Sequence, residues 1–265
     1  MSWSKSIIHW RDGRTVYVSV VFTWHLPLAH RLCEWNKQAG LQVWAGGPAV
    51  RLMPTYLADV ADIARETTGP SPLSRHNPDA TFTTRGCVRR CNFCAVPKIE
   101  GDFRELPDWT PAPIVCDNNL LASSRKHFDK VVDRLKRFRG VDFNQGLDAR
   151  LLNEHHTERL RELPLVKIRF AWDNTALEST VLGAIEWILK AGFPKSRISC
   201  YVLYGFDDTP EDALYRALTI RGLGLKPFMM RYQPLDALRK DSFIGGEGWS
   251  DKEMKRFGRY WCRQN

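Results

Sequence analysis

The chain has 265 residues, which at about 100 to 200 residues per domain allows one large domain or a domain with a small appendage and excludes a multi-module protein. Hydrophobic residues make up 43% and charged residues 26%, a balance that is typical of a globular protein with a sizeable core. Lysine and arginine total 39 against 30 for aspartate and glutamate, so the net charge of +9 favours anionic partners, although it is equally compatible with simple solubility.

The apolar stretches are too short for a membrane protein. The longest, over residues 15–28, is broken by His25 and Pro27 and falls short of the ~20 residues that span a bilayer. The first 14 residues lack a continuous apolar segment, so we expect no secretory signal, no membrane partner and a cytoplasmic location.

The first part of the chain is predicted to form a small α/β unit that ends at Gly46-Gly47-Pro48. Its predicted elements are a buried strand, a helix and a second strand, over residues 16–22, 28–38 and 41–45. Residues 69–78 contain three prolines and are typical of a linker. We therefore predict an N-terminal unit, a core domain and a C-terminal linker with a helix, over residues 1–78, 79–240 and 241–265.

Beyond this linker, six β-rich runs alternate with helical runs, which predicts an α/β fold with a parallel sheet, open or curved into a barrel. The predicted strands lie near residues 81–84, 113–116, 141–144, 166–171, 198–204 and 227–232. Apolar residues at helical spacing predict two of the intervening helices. The buried face of the first would contain Phe128, Val131, Val132 and Leu135, and that of the second Leu177, Val181, Ile185 and Ile188. Thr209 followed by Pro210 predicts the start of a third helix.

Two further segments have distinct patterns. Residues 95–113 contain four prolines without helical periodicity, and such a long connection is often functional. Near the end of the chain, Ser250 and Glu253 form a capping box, and Met254, Phe257 and Trp261 share one helical face. A terminal helix is therefore predicted.

Three of the seven cysteines, Cys87, Cys91 and Cys94, are spaced C-x3-C-x2-C directly after the first strand of the predicted core. A structural zinc site needs four protein ligands, which paired C-x2-C units normally supply from two places. Three thiolates around a four-iron, four-sulfur cluster instead leave one iron open to a small molecule. The spacing favours the iron–sulfur cluster, and a zinc site with a distant fourth ligand remains the alternative.

This triplet, with Phe93 just before its last cysteine and six β/α repeats around it, resembles the radical S-adenosylmethionine (SAM) superfamily over residues 80–235. The resemblance implies a partial (β/α)6 barrel with a single [4Fe-4S] cluster held by Cys87, Cys91 and Cys94. It also implies reductive cleavage of SAM to a 5'-deoxyadenosyl radical that abstracts hydrogen from a substrate. The electron donor would be a protein such as flavodoxin or ferredoxin.

The same resemblance assigns SAM-binding roles to further residues. Phe93 would lie against adenine, and Asp117, Asn118 and Asn119 occupy the place of the family's Gly-Gly-Glu motif, which holds the ammonium group. The Asp-Asn-Asn sequence departs from that motif and is also typical of a turn.

Four other positions match family residues near SAM, and for each a structural role is the alternative. They are Arg150 for the carboxylate, Asp173 for the ribose or as a helix cap, Gly205 for close approach of adenine, and Arg231 at the mouth of the barrel. Gly245-Gly246-Glu247 spells the motif literally but follows the last predicted strand, so we interpret it as a linker.

The N-terminal unit resembles a shortened cobalamin-binding domain, and because none of its histidines lies in a D-x-H-x-x-G sequence we expect no cobalamin. Residues 121–138 carry six lysines and arginines, a basic surface for a phosphate backbone or simply a solvated face. Trp109 and Trp172 are candidates for stacking on a base. The substrate stays open and includes nucleic acid or a nucleotide. A zinc-bearing nucleic-acid-binding module without catalysis is the alternative function.

Overall fold

The computed structural model describes residues 7–64, 72–243, 246 and 248–264. The chain divides into two compact units. The first comprises the described parts of residues 1–80, 91–101 and 233–242, and the second those of residues 81–90, 102–232 and 243–265. Among the described residues, no helix combines the length and the apolar character needed to cross a membrane.

The first unit is built on a small mixed sheet. Its described elements are β1 (Ile7–Asp12), β2 (Thr15–Val20), α1 (Leu26–Gln38), β3 (Gln42–Gly46), α2 (Pro48–Leu52), β4 (Asp62–Ile63) and α3 (Leu73–His76). The strands lie in the order β1-β2-β3-β4, with β1 antiparallel to β2 and the other neighbours parallel. The predicted strand, helix and strand of this unit are therefore confirmed. The predicted linker falls partly on residues 65–71, outside the described residues.

The core of the first unit forms where the sheet packs against α1. Alternate residues of β2 are buried, as is expected for a strand with one face on the core. The helix contributes Leu26, Ala29 and Cys33 from one face. Gly47, between β3 and α2, has φ +97°, and a Cβ there would lie 2.6 Å from the carbonyl oxygen of Val20. Glycine is required at this position because the two main chains approach closely.

The remaining elements belong mostly to the second unit, whereas the short helix over residues 96–99 belongs to the first. In chain order these are β5 (Ala80–Thr81), β6 (Thr84–Arg85), α4 (Val96–Ile99), β7 (Arg104–Glu105), β8 (Ile114–Val115), α5 (Arg125–Leu135), β9 (Val141–Phe143), α6 (Glu154–Arg161), β10 (Leu165–Trp172), α7 (Glu178–Lys190), β11 (Ile198–Tyr204), α8 (Pro210–Gly222), β12 (Lys226–Arg231) and α9 (Asp251–Gln264). Short 3-10 helices lie at Thr23–His25, Pro54–Tyr56, Leu120–Ala122, Thr175–Leu177 and Lys195–Arg197.

Six of these strands form one parallel sheet in the order β12-β11-β10-β9-β8-β5. Each strand therefore lies beside its predecessor among the sheet strands, which is the order that successive βαβ crossovers generate. The predicted α/β class and the six predicted strands are confirmed. The first predicted strand, near residues 81–84, is divided between β5 and β6, and β6 pairs antiparallel with β7.

One face of this sheet is covered by helices. Phe128, Val131, Val132 and Leu135 of α5 are fully buried, as are Val181, Ile185 and Ile188 of α7. They pack in one cluster with the alternating residues Ile168, Phe170 and Trp172 of β10. The predicted helical faces are thus confirmed except at Leu177, which ends the 3-10 helix before α7 and is only partly buried against the same cluster.

The helix starts also agree with the sequence. Ser124 caps α5, and Thr209 forms a capping box with Asp212 at the start of α8. Ser250 and Glu253 exchange hydrogen bonds at the start of α9, with Ser250 N donating to Glu253 Oε2 at 2.8 Å and Glu253 N donating to Ser250 Oγ at 3.2 Å. The predicted terminal helix is confirmed.

The segment over residues 95–113, predicted as a long connection without structure, contains α4 and β7. The sequence hid both elements because they are only four and two residues long, too short to show a period. The strand β1 was also not predicted. Among its apolar residues only Trp10 lies between two exposed residues, so the sequence does not show the alternation expected of a strand. Gly13, with φ +55°, makes the turn between β1 and β2.

Candidate functional site

Polar side chains collect at the carboxyl ends of the parallel strands of the second unit. Asp117 and Asn119 follow β8, Asp148 follows β9, Asp173 follows β10 and Asp208 follows β11. Because these strands are parallel, their carboxyl ends lie at the same edge of the sheet. In open and closed parallel sheets this edge is where ligands bind.

The segment with the first cysteine of the triplet leaves the main sheet next to this edge. Gly86 adopts φ +73°, which permits the turn after β6, and Cys87 follows it half-buried. The sulfur of Cys87 accepts a hydrogen bond from Arg89 N at 3.3 Å and another from Asn119 Nδ2 at 3.6 Å. Donors of this kind stabilise a thiolate and tune sulfur that ligates a metal.

Asn119 connects Cys87 to a buried carboxylate. Its Nδ2 also donates to Asp148 Oδ2 at 3.0 Å, and Arg89 Nε donates to the same oxygen at 3.1 Å. The Oδ1 of Asn119 is buried and has no hydrogen-bond partner among the described residues. A buried acceptor without a hydrogen-bond partner is available to a ligand that carries an N–H donor.

Asp148 is the functional candidate that the sequence analysis did not single out. Its second oxygen, Oδ1, accepts from Arg150 Nε at 2.6 Å and from Arg150 N at 3.1 Å. Burial opposes ionisation of Asp148, but the hydrogen bonds and charges of Arg150 and Arg89 outweigh it and lower its pKa. A carboxylate two residues before Arg150 at a strand end was the signal available in the sequence.

Asp117 is buried and accepts hydrogen bonds from the segment that precedes the first cysteine of the triplet. Its Oδ1 accepts from Thr83 N at 2.6 Å and from Thr84 N at 3.0 Å, and its Oδ2 accepts from the Thr83 hydroxyl. Burial raises the pKa of Asp117 even though these donors lower it. Asp117 therefore fixes β6, while Asn119 carries the polar atom that stays unmatched.

Asp173, after β10, is half-buried and interacts electrostatically with Arg150 and Asp148. Burial raises its pKa, and the charges of Arg150 and Arg216 oppose that shift. Its electrostatic interaction with Arg150 shows that the structure brings these two predicted residues together. A carboxyl with a raised pKa at the edge of the sheet can accept or donate a hydrogen bond to a hydroxyl group.

Gly205, after β11, has φ +80° as expected for a position that favours glycine. A Cβ there would lie 2.0 Å from Met254 Cε, so the close neighbour in this structure is α9. Gly205 N donates to Asp208 Oδ1 at 2.7 Å, and Asp208 in turn forms an ion pair with the fully buried Arg216. Arg216 Nη1 also donates to the carbonyl oxygen of Trp172 at 2.8 Å, which ties β10 to the loop after β11.

The other predicted residues lie apart from this network or in the other unit. Arg231 Nη2 donates to Asp251 Oδ1 at 3.1 Å and so holds the start of α9. Asn118 is half-buried next to Asn119. Cys91, Phe93 and Cys94 belong to the first unit, where each is half-buried and Cys94 N donates to Cys91 O at 3.0 Å. Of the literal Gly-Gly-Glu, positions 245 and 247 lie outside the described residues.

The thiols outside the triplet are of a different kind. Cys33, Cys116 and Cys200 are buried, and burial raises their pKa to about 11, about 12 and about 12. They are therefore protonated core residues at neutral pH, unlike ligands, which must be thiolates. Within the described part of the chain, no group of three or more His, Cys, Asp or Glu side chains is arranged closely enough to hold a metal ion.

The basic face of α5 is largely committed to the protein itself. Lys130 Nζ donates to Pro107 O at 2.9 Å, and Arg134 Nη1 to Trp109 O at 3.3 Å. Trp109 is buried beneath Arg134, whose guanidinium lies 5.1 Å from the ring centroid, and Trp172 is fully buried. Both candidates for stacking on a base are therefore used in packing, which is the alternative role of a tryptophan in the core.

Comparison with known proteins gives no family assignment: a scan of protein-family models and a search of curated proteins find no match to this chain.

Proposed function

We propose that the protein is a radical SAM enzyme that uses one [4Fe-4S] cluster. The observation that carries this proposal is the environment of Cys87. The first thiol of the triplet accepts two N–H donors, and one of them, Asn119, also binds the Asp148 carboxylate that holds Arg150. The sulfur proposed to ligate iron and a carboxylate–guanidinium pair thus belong to one hydrogen-bonded network at the carboxyl edge of the sheet.

The residues present fit the cluster in their donor chemistry. Cys87, Cys91 and Cys94 would hold it, and an iron without a protein ligand would bind the amino and carboxylate groups of SAM. When bound and reduced, such a cluster supplies the electron that cleaves SAM into methionine and a 5'-deoxyadenosyl radical. The hydrogen bonds to Cys87 fit this assignment because donors to a ligating sulfur stabilise the reduced, more negative state.

The residues of the carboxyl edge would bind and orient SAM. Arg150 would pair with the SAM carboxylate, a geometry that a guanidinium suits, while Asp148 fixes the Arg150 side chain through Nε. The open acceptor Asn119 Oδ1, with Asn118, would accept a hydrogen bond from the SAM amino group. Asp117 would contribute indirectly, because its oxygens are taken by Thr83 and Thr84.

Two further residues would complete the SAM site. Asp173 would hydrogen-bond the ribose and Phe93 would lie against adenine, whereas the space beside Gly205 is filled by Met254 in this structure. Arg231 would act from the last strand through its pairing with Asp251. In this proposal the parallel sheet is the wall of a partial (β/α)6 barrel, and the barrel excludes water from the reacting groups.

The remaining assignments follow from the chemistry. A low-potential donor such as flavodoxin or ferredoxin would reduce the cluster. We place the activity in the cytoplasm, because a reducing compartment keeps a thiol triplet available for metal. The N-terminal unit would act without cobalamin, and the hydrogen-donating substrate is not assigned.

The test is anaerobic reconstitution of the full chain with iron and sulfide. We expect iron and inorganic sulfide in equal amounts, a reduced-cluster paramagnetic signal that changes when SAM is added, and formation of 5'-deoxyadenosine. Cys91→Ala should abolish SAM cleavage and cluster binding. Cys262→Ala is the matched control, since Cys262 is an exposed thiol on α9. Stoichiometric zinc without sulfide, or full activity of Cys91→Ala, would overturn the proposal.

A further inference from the structure

A cavity lies at the other edge of the parallel sheet, at the amino-terminal ends of β10, β11 and β12. Its volume is about 350 Å³. Lys167 lies near the start of β10, Ile198 begins β11 and Lys226 begins β12, and all three line the cavity. Lys195 and Arg221, from the connections before β11 and β12, complete its charged wall.

This cavity concentrates positive charge. Among the described residues that line it there are four cations, Lys167, Lys195, Arg221 and Lys226, and no aspartate or glutamate. Burial lowers the pKa of Lys167, the positive charges of Lys226 and Arg169 lower it further, and the charge of Asp142 opposes the shift. The positive charges of Lys167 and Lys226 therefore repel each other, and an anion bound between them would relieve that repulsion.

Contacts within the fold position Lys167 and Arg221. Lys167 Nζ donates to the carbonyl oxygen of Ser196 at 3.4 Å. The guanidinium of Arg221 lies 5.0 Å from the centroid of the Trp261 ring. Gly224 has φ +75°, and Lys195 packs against it, because a Cβ added at Gly224 would be in van der Waals contact with Lys195 Nζ at 3.5 Å.

The wall of the cavity includes a tryptophan. Trp261 lines the cavity, and its side chain is fully buried. Because the charged lining residues are all cations, the cavity favours a ligand with several anionic oxygens.

We propose that this cavity binds the phosphate group of a nucleotide, either free or within a single nucleic acid strand. Lys195, Arg221 and Lys226 would contact the phosphate oxygens, as basic side chains do in phosphate sites. The volume exceeds that of a phosphate, since a water molecule takes about 30 Å³ of liquid. The apolar lining residues Ile198, Leu225 and Pro227 would contact the uncharged part of the ligand.

Binding to the full chain at low ionic strength tests this site, with inorganic phosphate, adenosine monophosphate and a short single-stranded oligoribonucleotide as probes. We expect at least one probe to bind, and the triple variant Lys195→Gln/Arg221→Gln/Lys226→Gln to weaken binding at least about tenfold, or ~1.4 kcal/mol. The control triple variant Arg125→Gln/Lys126→Gln/Arg139→Gln removes the same charge from exposed positions elsewhere.

The probes identify the source of the phosphate. Binding of the monophosphate without the oligonucleotide assigns a free nucleotide, and binding of the oligonucleotide with a steep salt dependence assigns a strand. Failure of all three probes to bind, or equal weakening by the control variant, overturns the proposal. The experiment needs neither cluster nor SAM, so its outcome is separate from that of the proposed enzymatic activity.

Discussion

Arg89 and Asp148 are 59 positions apart in the chain, yet Arg89 Nε donates to Asp148 Oδ2 at 3.1 Å. The contact joins the main chain that holds Cys87 to the loop that holds Arg150. Because Asn119 donates to the same oxygen, three segments of the second unit share one carboxylate. A proposed ligand to iron and a proposed ligand to SAM are therefore positioned by one side chain.

Replacement of Asp148 should destabilise the protein at neutral pH. Asp148→Asn removes the charge that Arg150 and Arg89 share, and we expect a loss of about 2 kcal/mol in the free energy of unfolding at pH 7, less than for a fully buried pair because both arginines are partly exposed. The pKa of Asp148 is lower in the folded protein than in the unfolded chain. Its stabilisation is therefore present above the unfolded pKa and is lost as the pH falls through the folded one.

Urea unfolding of the wild-type protein and of Asp148→Asn, at pH 7 and at successively lower pH, measures the difference in their free energy of unfolding. Asp102→Asn is the matched control, because Asp102 pairs with Arg90 on the surface, where their side chains are 88% and 78% exposed. Its effect should stay below about 0.5 kcal/mol. A difference for Asp148→Asn that does not shrink at acid pH would contradict the prediction.

Asp117 should respond to pH in the opposite direction. Asp117→Ala leaves the Thr83 and Thr84 N–H groups and the Thr83 hydroxyl without their acceptor, so we expect a loss of about 2 to 4 kcal/mol. Asp117→Asn keeps an acceptor and should cost far less. Burial raises the pKa of Asp117, so its stabilising contribution is complete below the unfolded pKa and is lost as the pH rises through the folded one.

The same unfolding measurement, carried out between neutral and acid pH, separates the two variants of Asp117. The wild-type protein should gain stability relative to Asp117→Asn as the pH falls. Hydrogen exchange of the Thr83 and Thr84 amides should accelerate in Asp117→Ala alone. Equal exchange in both variants would show that Asp117 does not hold β6.

The α/β class was predictable because β-rich runs alternate with helices such as α5, in which Phe128 and Val132 belong to a buried face of 3.6-residue period. The spacing of the three cysteines was equally local. Asp148 was not predictable, because its role depends on Arg89 and Asn119, which are distant in the chain. The same holds for Trp109, whose burial depends on Arg134, and for Gly205, whose neighbour Met254 lies on the terminal helix.

Substitution of Gly205 should be more costly than that of another glycine with the same backbone conformation. Gly205→Ala combines left-handed strain with overlap on Met254 Cε, and we expect a loss of about 2 to 4 kcal/mol. Gly192→Ala is the control, because Gly192 has φ +89° and nothing within 4 Å of an added Cβ. That variant should lose only about 1 kcal/mol, from strain.

A double-mutant cycle with Met254→Ala separates the overlap from the strain. Once Met254 is shortened, the further cost of Gly205→Ala should fall to that of Gly192→Ala, as measured by the free energy of unfolding. Strictly additive effects at positions 205 and 254 would show that the Met254 side chain moves away freely.

We predict that basic side chains of α5 hold residues 107–111 in place through hydrogen bonds to main-chain carbonyl oxygens. Lys130 and Arg134 of α5 donate to the carbonyl oxygens of Pro107 and Trp109, and Arg137, just after the helix, donates to that of Pro111. Carbonyls two residues apart lie about 6 to 7 Å apart in extended chain, close to the ~6 Å rise of four helical residues, so the two spacings can match. Arg134→Met should therefore speed amide hydrogen exchange and proteolysis over residues 104–112, with little change elsewhere. Lys126→Met, an exposed cation on the same helix, is the control, and equal exchange in the two variants would exclude this role for Arg134.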